Sequence, residues 1–219
     1  MGESPVAGAG ESGNGISGDI DMEKKGAGCD WKYGGLWALA NIFGWGACAS
    51  TAVILTGIFG TRNGELWMVL SAFLIGLAQW LVLAPRFSLT GWLIPAYGMG
   101  WYIGLWLGTN LGFLSPGLFM GAAGGALVGV MQWLSLRRRL GRSLIWMPAM
   151  SVSSLLGCWI GVLAGVSAYD SVSAGAAPAY AIGGAVAGAV IGVLSGSILV
   201  ILIRREARRK TVITAGVST

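Results

Sequence analysis

Residues 87–136 read FSLTGWLIPAYGMGWYIGLWLGTNLGFLSPGLFMGAAGGALVGVMQWLSL, an unbroken stretch that contains no charged side chain. A helix needs about 20 apolar residues to cross the hydrocarbon core of a bilayer, so this stretch is too long for one crossing. Its middle, from Asn110 to Gly117, reads NLGFLSPG and is rich in residues that favour turns. The stretch therefore predicts two membrane-spanning helices joined by a short loop.

The rest of the chain repeats this pattern on both sides. Only 11% of the residues are charged, whereas soluble proteins carry about 25%. Uncharged stretches also cover residues 33–61, 66–85, 143–169 and 171–203. This composition excludes an ordinary soluble domain, and we expect an all-α integral membrane bundle of six transmembrane helices. The expected spans lie near residues 35–59, 66–84, 91–111, 117–136, 144–168 and 178–203.

The basic residues predict the orientation of these spans. With the N-terminus inside, every Lys and Arg except Arg62 falls on the inner side, and such an excess marks the cytoplasmic face. An even number of spans then places both termini in the cytoplasm. Residues 1–32, rich in Gly, Ser and acidic side chains, are expected to form a disordered cytoplasmic tail. Residues 33–204 form the predicted membrane domain, and residues 205–219 form a basic cytoplasmic tail.

Basic residues cluster at the inner ends of the fourth and sixth predicted spans. There they are expected to contact anionic lipid headgroups or, alternatively, an acidic cytoplasmic partner. Their position at span ends argues against nucleic acid as a partner, although the pI is about 9.4. The predicted headgroup residues are Arg137, Arg138, Arg139, Arg142, Arg204, Arg205, Arg208, Arg209 and Lys210.

An internal repeat emerges when the sequence is aligned with itself. One offset matches Gly76 with Gly129 and Gln79-Trp80-Leu81 with Gln132-Trp133-Leu134. A fainter third copy places Gly188, Gly192 and Gly196 against Gly121, Gly125 and Gly129, with Leu199-Val200 in place of the Gln-Trp pair. All copies enter the membrane from the same side, so the pattern predicts three helical hairpins in a parallel pseudo-repeat.

Glycines recur at every fourth position in several spans and would form grooves along single helix faces. Lipid provides no hydrophobic drive for helices to associate, so close backbone approach through such grooves holds a bundle together. We expect packing within the chain, and the alternative is that one groove binds another subunit. The predicted groove residues are Gly100, Gly104, Gly108, Gly112, Gly121, Gly125, Gly129, Gly157, Gly161, Gly165, Gly184, Gly188, Gly192 and Gly196.

Amide side chains at Gln79, Gln132 and Asn41 are the polar groups of interest inside the predicted spans. A buried amide needs a partner, so the simplest interpretation is a polar contact between helices that fixes their register. Two other interpretations stay open. The amides could line a path for a small neutral solute, or one oxygen could bind the magnesium of a chlorophyll-type pigment, because Mg²⁺ prefers oxygen ligands.

The two copies of the pattern G-x-x-Q-W-L-x-L, at residues 76–83 and 129–136, resemble a motif of uncharacterised polytopic membrane proteins from photosynthetic and related bacteria. With its flanks the resemblance covers about residues 71–165. It implies a bacterial membrane setting, either the plasma membrane or a photosynthetic internal membrane. No catalytic residue comes with it.

The predicted spans contain no Asp, Glu, His, Lys or Arg, whereas intramembrane catalysis and proton-coupled transport normally use buried ionisable groups. The cysteines Cys29, Cys48 and Cys158 show no metal-binding spacing and are expected to be packing residues. We therefore predict no enzyme activity, no metal site, and no cofactor apart from the pigment alternative.

The function predicted from these features is a non-enzymatic structural or assembly subunit of a larger membrane complex. Its partners would be the lipid bilayer and either other membrane subunits or further copies of this chain. The first alternative is a facilitator or channel for a small neutral solute, and the second is a pigment-binding membrane subunit.

Overall fold

The computed structural model describes the backbone of residues 15–60, 64–87, 91–110, 116–137, 144–171 and 176–217. Over these ranges the chain forms α-helices and no β-strand, so the prediction of an all-α fold is confirmed. The helices are α1 (Gly15–Phe59), α2 (Gly64–Phe87), α3 (Leu93–Asn110), α4 (Pro116–Leu136), α5 (Trp146–Ser171) and α6 (Ala176–Val217). Side-chain surroundings are described for residues 30–60, 66–85, 91–92, 94–107, 110, 121–137, 144–170 and 176–209.

Local sequence signals explain where several helices begin and end. Gly60 follows α1 with a φ of 87°, a conformation that favours glycine, and its N–H donates to the carbonyl of Thr56 at 2.9 Å. Pro116 is the first residue of α4, where a missing N–H costs nothing because the first turn has no intrahelical acceptor. These signals place the helix ends close to the limits predicted for the spans.

Four of the described helices contain a segment that is long and apolar enough to cross a membrane. These segments are Asp30–Phe59, Leu66–Pro85, Trp146–Asp170 and Ala176–Arg209. A shorter apolar segment, Gly121–Leu136, lies in α4. The chain therefore has the candidate spans of a multi-pass membrane protein.

Both terminal helices extend beyond the predicted membrane domain. Of the disordered tail predicted at residues 1–32, residues 1–14 lie outside the described residues, whereas residues 15–32 belong to α1. The sequence also predicts a separate tail that begins at residue 205, but α6 continues through this residue to Val217. Adding residues to an existing helix is easier than nucleating a new one, and Glu, Arg, Lys and Ala in these extensions are good helix formers.

The helices pack in the order of the chain. The principal interfaces join α1 to α2, α2 to α3, α3 to α4, α4 to α5 and α5 to α6, and α1 also packs against α6. The six helices therefore close into a ring. Side chains that point inward from different helices can meet along its centre.

Glycine lies at every one of these interfaces. A Cβ placed on Gly161 of α5 would stand 2.6 Å from the carbonyl oxygen of Gly183 in α6, and one on Gly125 of α4 would stand 2.7 Å from the Met150 carbonyl in α5. Real Cβ atoms do not approach backbone so closely, so these contacts require glycine. The remaining interfaces use Gly44 with α2, Gly76 with α3, Gly100 with α4, and Gly184, Gly188 and Gly192 with α1.

The predicted groove residues thus mostly face neighbouring helices of the same chain. A Cβ placed on Gly121, Gly129, Gly157 or Gly196 would also lie within 3.1 Å of a neighbouring helix, and one on Gly165 would make ordinary contact at 3.6 Å. Gly104 is buried. Gly108 lies in α3 but its surroundings are not among those described, and Gly112 lies outside the described residues. The grooves are therefore occupied within the bundle wherever their contacts are described.

The outer surface of the ring is apolar. Phe43 on α1, Trp106 on α3 and Trp159 on α5 are among the large side chains that remain exposed, with 70% of Phe43 accessible. Such side chains are unfavourable in water but suit lipid or another apolar surface.

Candidate functional site

A chain of buried amides crosses the centre of the ring. The Nε2 of Gln79 on α2 donates to the Oδ1 of Asn41 on α1 at 2.9 Å. The Nε2 of Gln132 on α4 donates to the Oε1 of Gln79 at 2.6 Å. All three amides are at most 1% exposed. The structure therefore brings together the three polar residues that the sequence singled out, and each binds another.

Two tryptophans and a serine extend this chain at its ends. The indole Nε1 of Trp146 on α5 donates to the Oε1 of Gln132 at 3.1 Å. At the other end, the Nδ2 of Asn41 donates to the carbonyl of Trp37 at 2.9 Å, and the Trp37 indole donates to the Oγ of Ser195 on α6 at 2.8 Å. We refer to Trp37, Asn41, Gln79, Gln132, Trp146 and Ser195 as the amide network.

The amide network closes on itself. The rings of Trp37 and Trp146 meet edge to face with centroids 6.0 Å apart, an arrangement that is favourable beyond the buried area alone. Trp146, at one end of the hydrogen-bonded series, therefore contacts Trp37 near its other end. Hydrogen bonds of the amide network link α1, α2, α4, α5 and α6.

Close helix packing positions the network. A Cβ on Gly188 would clash with the carbonyl of Asn41, so a glycine lets α6 approach α1 at this residue. Gly129 of α4 permits similar approach to Met147 of α5, one residue beyond Trp146. The glycine spacing in the sequence thus determines where the amides can meet.

The chemistry of the amide network is neutral. Amides donate and accept hydrogen bonds and indoles donate them, but neither group ionises at ordinary pH. Among the described residues, no group of three His, Cys, Asp or Glu side chains is placed to hold a metal ion. Hydrogen bonds between helices in a membrane contribute about 0.6 to 2 kcal/mol each. The network can therefore hold helices in one arrangement.

A second polar region lies one helical turn along α1 from Asn41. Trp45 of α1 meets Trp101 of α3 edge to face, with ring centroids 4.7 Å apart and an interplanar angle of 86°. The hydroxyl of Tyr97, also on α3, lies beside both indoles. Gly124 of α4 leaves room for the Trp101 ring. We refer to Trp45, Tyr97 and Trp101 as the aromatic layer.

The polar atoms of the aromatic layer lack hydrogen-bond partners. The Nε1 of Trp45, the hydroxyl of Tyr97 and the Nε1 of Trp101 are buried, and among the described residues none makes a hydrogen bond of acceptable geometry. The amide network and the aromatic layer therefore differ sharply in how their polar groups are satisfied.

Most of the described basic residues lie in the C-terminal third of α6, and Arg137 directly follows the last residue of α4. Arg204 of α6 lies 3.8 Å from the Oδ2 of Asp30, measured from its Nε, and its guanidinium stands over the Trp31 ring of α1. Arg137 stands over the Trp133 ring at 5.7 Å. Arg205, Arg208 and Arg209 are exposed. Arg138, Arg139 and Arg142 lie outside the described residues, as does the side chain of Lys210.

Sequence reasoning missed Trp37, Trp146, Ser195 and the whole aromatic layer. One signal was available, because Trp37 and Asn41 stand four residues apart and so share one helix face. Tryptophans in membrane proteins are usually read as interface anchors, which hid their role as buried donors. Ser195 lies within a glycine-rich face and reads as another small packing residue.

Comparison with protein-family models, with curated proteins and with solved structures finds no match to this chain.

Proposed function

We propose that this chain is a non-enzymatic structural or assembly subunit of a larger membrane complex. One observation carries the proposal, namely the closed and neutral amide network that joins five helices at the centre of the ring. A subunit that holds others in place needs a single fixed arrangement of helices. Buried polar groups that satisfy one another favour one register over its alternatives.

The outer surface supports the same role. Wherever their contacts are described, the glycine faces pack within the chain, so contacts with a partner would use exposed aliphatic and aromatic side chains such as Phe43 and Trp159. Aromatic side chains are enriched in the cores of protein interfaces. Further membrane subunits or copies of this chain would therefore pack against apolar ridges on the outside of the ring.

The complete proposal includes six spans, both termini in the cytoplasm, and three hairpins in a parallel pseudo-repeat. Its support is that α3 and α4, which complete the ring, have 18 and 21 residues, and about 17 residues can cross a bilayer. Gln79 and Gln132, which match in the proposed repeat, both reach the centre and bind each other. The bacterial setting implied by the Gln-Trp motif remains part of the proposal.

The basic clusters at the inner helix ends would bind anionic lipid headgroups. Arg205, Arg208 and Arg209 are exposed near the end of α6, and each Lys or Arg near an anionic surface contributes about 1 kcal/mol of attraction. Lipid binding of this kind would orient the bundle without requiring a protein partner.

The geometry of the amide network supports neither of the two alternative functions. A solute path beside Gln79, Gln132 and Asn41 needs open polar groups, but these amides are buried and bind each other. A pigment needs an amide oxygen facing a flat macrocycle, whereas the oxygens of Gln79 and Gln132 accept hydrogen bonds within the closed centre. We therefore propose neither.

Native electrophoresis tests the structural role. The tagged full-length chain would be extracted from its own membrane in a mild detergent, and the bands identified by mass spectrometry. We expect a band that contains other membrane subunits. Trp159→Ala and Phe43→Ala, each an exposed side chain on a different helix, would show which outer face binds the partner. Migration of the wild-type chain only as a monomer of 22.6 kDa, in every mild detergent tried, would contradict the proposal.

A further inference from the structure

The aromatic layer contains more hydrogen-bond donors than acceptors. The indoles of Trp45 and Trp101 can only donate, whereas the Tyr97 hydroxyl can donate and accept. If both indoles turned to donate to the Tyr97 oxygen, the phenolic hydrogen would still need an acceptor. Among the described residues, no group accepts a hydrogen bond from the Tyr97 hydroxyl. In any arrangement among these three side chains, at least one donor therefore has no acceptor.

The position of this layer makes the missing acceptor important. Trp45 stands midway along the candidate span Asp30–Phe59, about 20 Å from either end at 1.5 Å per residue. Tyr97 is 1% exposed and Trp101 is 7% exposed. Bulk water does not reach such a depth, and an unpaired donor in hydrocarbon is costly. A species bound inside the ring would supply the missing partner groups.

We propose that Trp45, Tyr97 and Trp101 form a binding site for the oxygen atom of a small neutral hydrogen-bond acceptor, either a water molecule or a small neutral solute. One oxygen has two lone pairs and can accept from two of the donors. A hydrogen on the bound molecule can in turn be donated to the Tyr97 oxygen. This site is separate from the amide network and does not depend on the proposed structural role.

Charge determines the class of ligand. The uncharged stretches of the sequence provide no cation at this depth, so a bound anion would remain uncompensated in a medium of low dielectric constant. Donor-only indoles exclude a ligand that can only donate. Water, an alcohol, an amide or a urea satisfies both conditions.

Nuclear magnetic resonance of the full chain in lipid nanodiscs tests the site. The tryptophans would be labelled with ¹⁵N, and the Nε1–H signals of Trp45 and Trp101 assigned with Trp45→Phe and Trp101→Phe. The Trp37 signal is an internal reference, because its N–H already donates to Ser195. We expect a magnetisation-transfer peak from water to at least one of the two assigned indoles, or a shift of their signals when urea or acetamide is added.

The two responses identify the source of the oxygen. A water peak without a response to added solute assigns the site to water, and a saturable shift assigns it to a neutral solute. Either result must leave the Trp37 signal unchanged. If both indoles show neither a water peak nor a shift, the proposal is overturned.

Thermal denaturation provides a second measurement that does not depend on signal assignment. Tyr97→Phe removes only the hydroxyl, so loss of a bound acceptor should lower Tm by about 2–4 °C in a chain of this size. Tyr102→Phe, on the half-exposed face of the same helix, is the matched control and should leave Tm unchanged. A Tm of Tyr97→Phe equal to or above that of the wild type would mean that the hydroxyl has no partner, and would overturn the proposal.

Discussion

The amide network and the aromatic layer occupy neighbouring turns of α1, with Asn41 in the first and Trp45 in the second. Every residue of the network contributes to a hydrogen bond at the centre of the ring, whereas the polar atoms of the aromatic layer have no partner there. Glycines of α6 allow close helix packing at both regions, since Gly188 contacts Asn41 and Gly184 contacts Trp45. Close packing is therefore common to the two regions, and hydrogen bonding separates them.

The chemical reason is the balance of donors and acceptors. An amide carries both, so a row of amides can satisfy its members one after another, as Gln132, Gln79 and Asn41 do. An indole carries a donor alone, so two indoles and a phenol require an oxygen from elsewhere. A neutral membrane core can therefore contain one region that fixes the helices and another that accepts a guest molecule.

The largest effect is expected from a substitution that disrupts the helix packing around both regions. Gly188→Leu places a side chain against the Asn41 carbonyl, and overpacking of this kind costs about 3 kcal/mol or more when backbone must move. We expect loss of the folded bundle in detergent, seen as aggregation in size-exclusion chromatography. Gly35→Leu is the control, because a Cβ on Gly35 meets nothing within 4 Å. Equal stability of the two variants would contradict the packing scheme.

A smaller effect is expected when the middle of the network is removed. Gln132→Leu leaves the Oε1 of Gln79 and the indole of Trp146 without these partners. A stranded buried polar group costs about 1–3 kcal/mol, so we expect a loss of about 2 kcal/mol in the free energy of unfolding. Unfolding of the purified protein in mixed detergent measures this loss.

A double-mutant cycle sharpens the same test. Gln79→Leu combined with Gln132→Leu also removes the stranded Gln79 oxygen, so the double variant should lose less than the sum of the single variants by about 0.5–2 kcal/mol. Strict additivity would indicate that the two glutamines do not interact.

The smallest expected effect concerns the end of the network. Ser195→Ala leaves the Trp37 indole without its acceptor, and we expect a loss of about 1 kcal/mol in the free energy of unfolding. Ser197→Ala is the matched control on the same helix, because the Ser197 hydroxyl bonds only to the Val193 carbonyl in an exposed position. Its effect should stay within about 0.5 kcal/mol. Similar losses in both variants would mean that the Trp37 bond contributes nothing.

Features that depend on local sequence were the ones that sequence could predict. Charge-free stretches predicted the helices, and glycines four residues apart predicted close helix packing. Polar contacts between helices could be predicted at Gln79, Gln132 and Asn41 because an amide in an apolar span requires a partner. Each of these inferences uses residues that lie within one helix.

The remaining features depend on the order of helices around the ring. Closure of α1 against α6 is a tertiary contact, and it brings Trp37 to Ser195, although the two residues are far apart in sequence. No spacing along the chain reveals that pairing. The aromatic layer was missed for a similar reason, since Trp45 and Trp101 belong to helices that are not neighbours in sequence. The extension of α1 back to Gly15 depends on helix propagation, which composition did not reveal.

Cross-linking in native membranes tests the amide network most directly. Gln79→Cys and Gln132→Cys would be combined in a chain whose own cysteines are replaced, and treated with mercuric chloride, a neutral and membrane-permeant reagent that joins two nearby thiols through one mercury atom. Because the two glutamine side chains contact at 2.6 Å, we predict rapid intramolecular cross-linking. The pair Leu81→Cys and Gln132→Cys, with Leu81 on the exposed face of α2, should react far more slowly. Equal rates for the two pairs, or no cross-link between positions 79 and 132, would contradict a polar centre that joins α2 to α4.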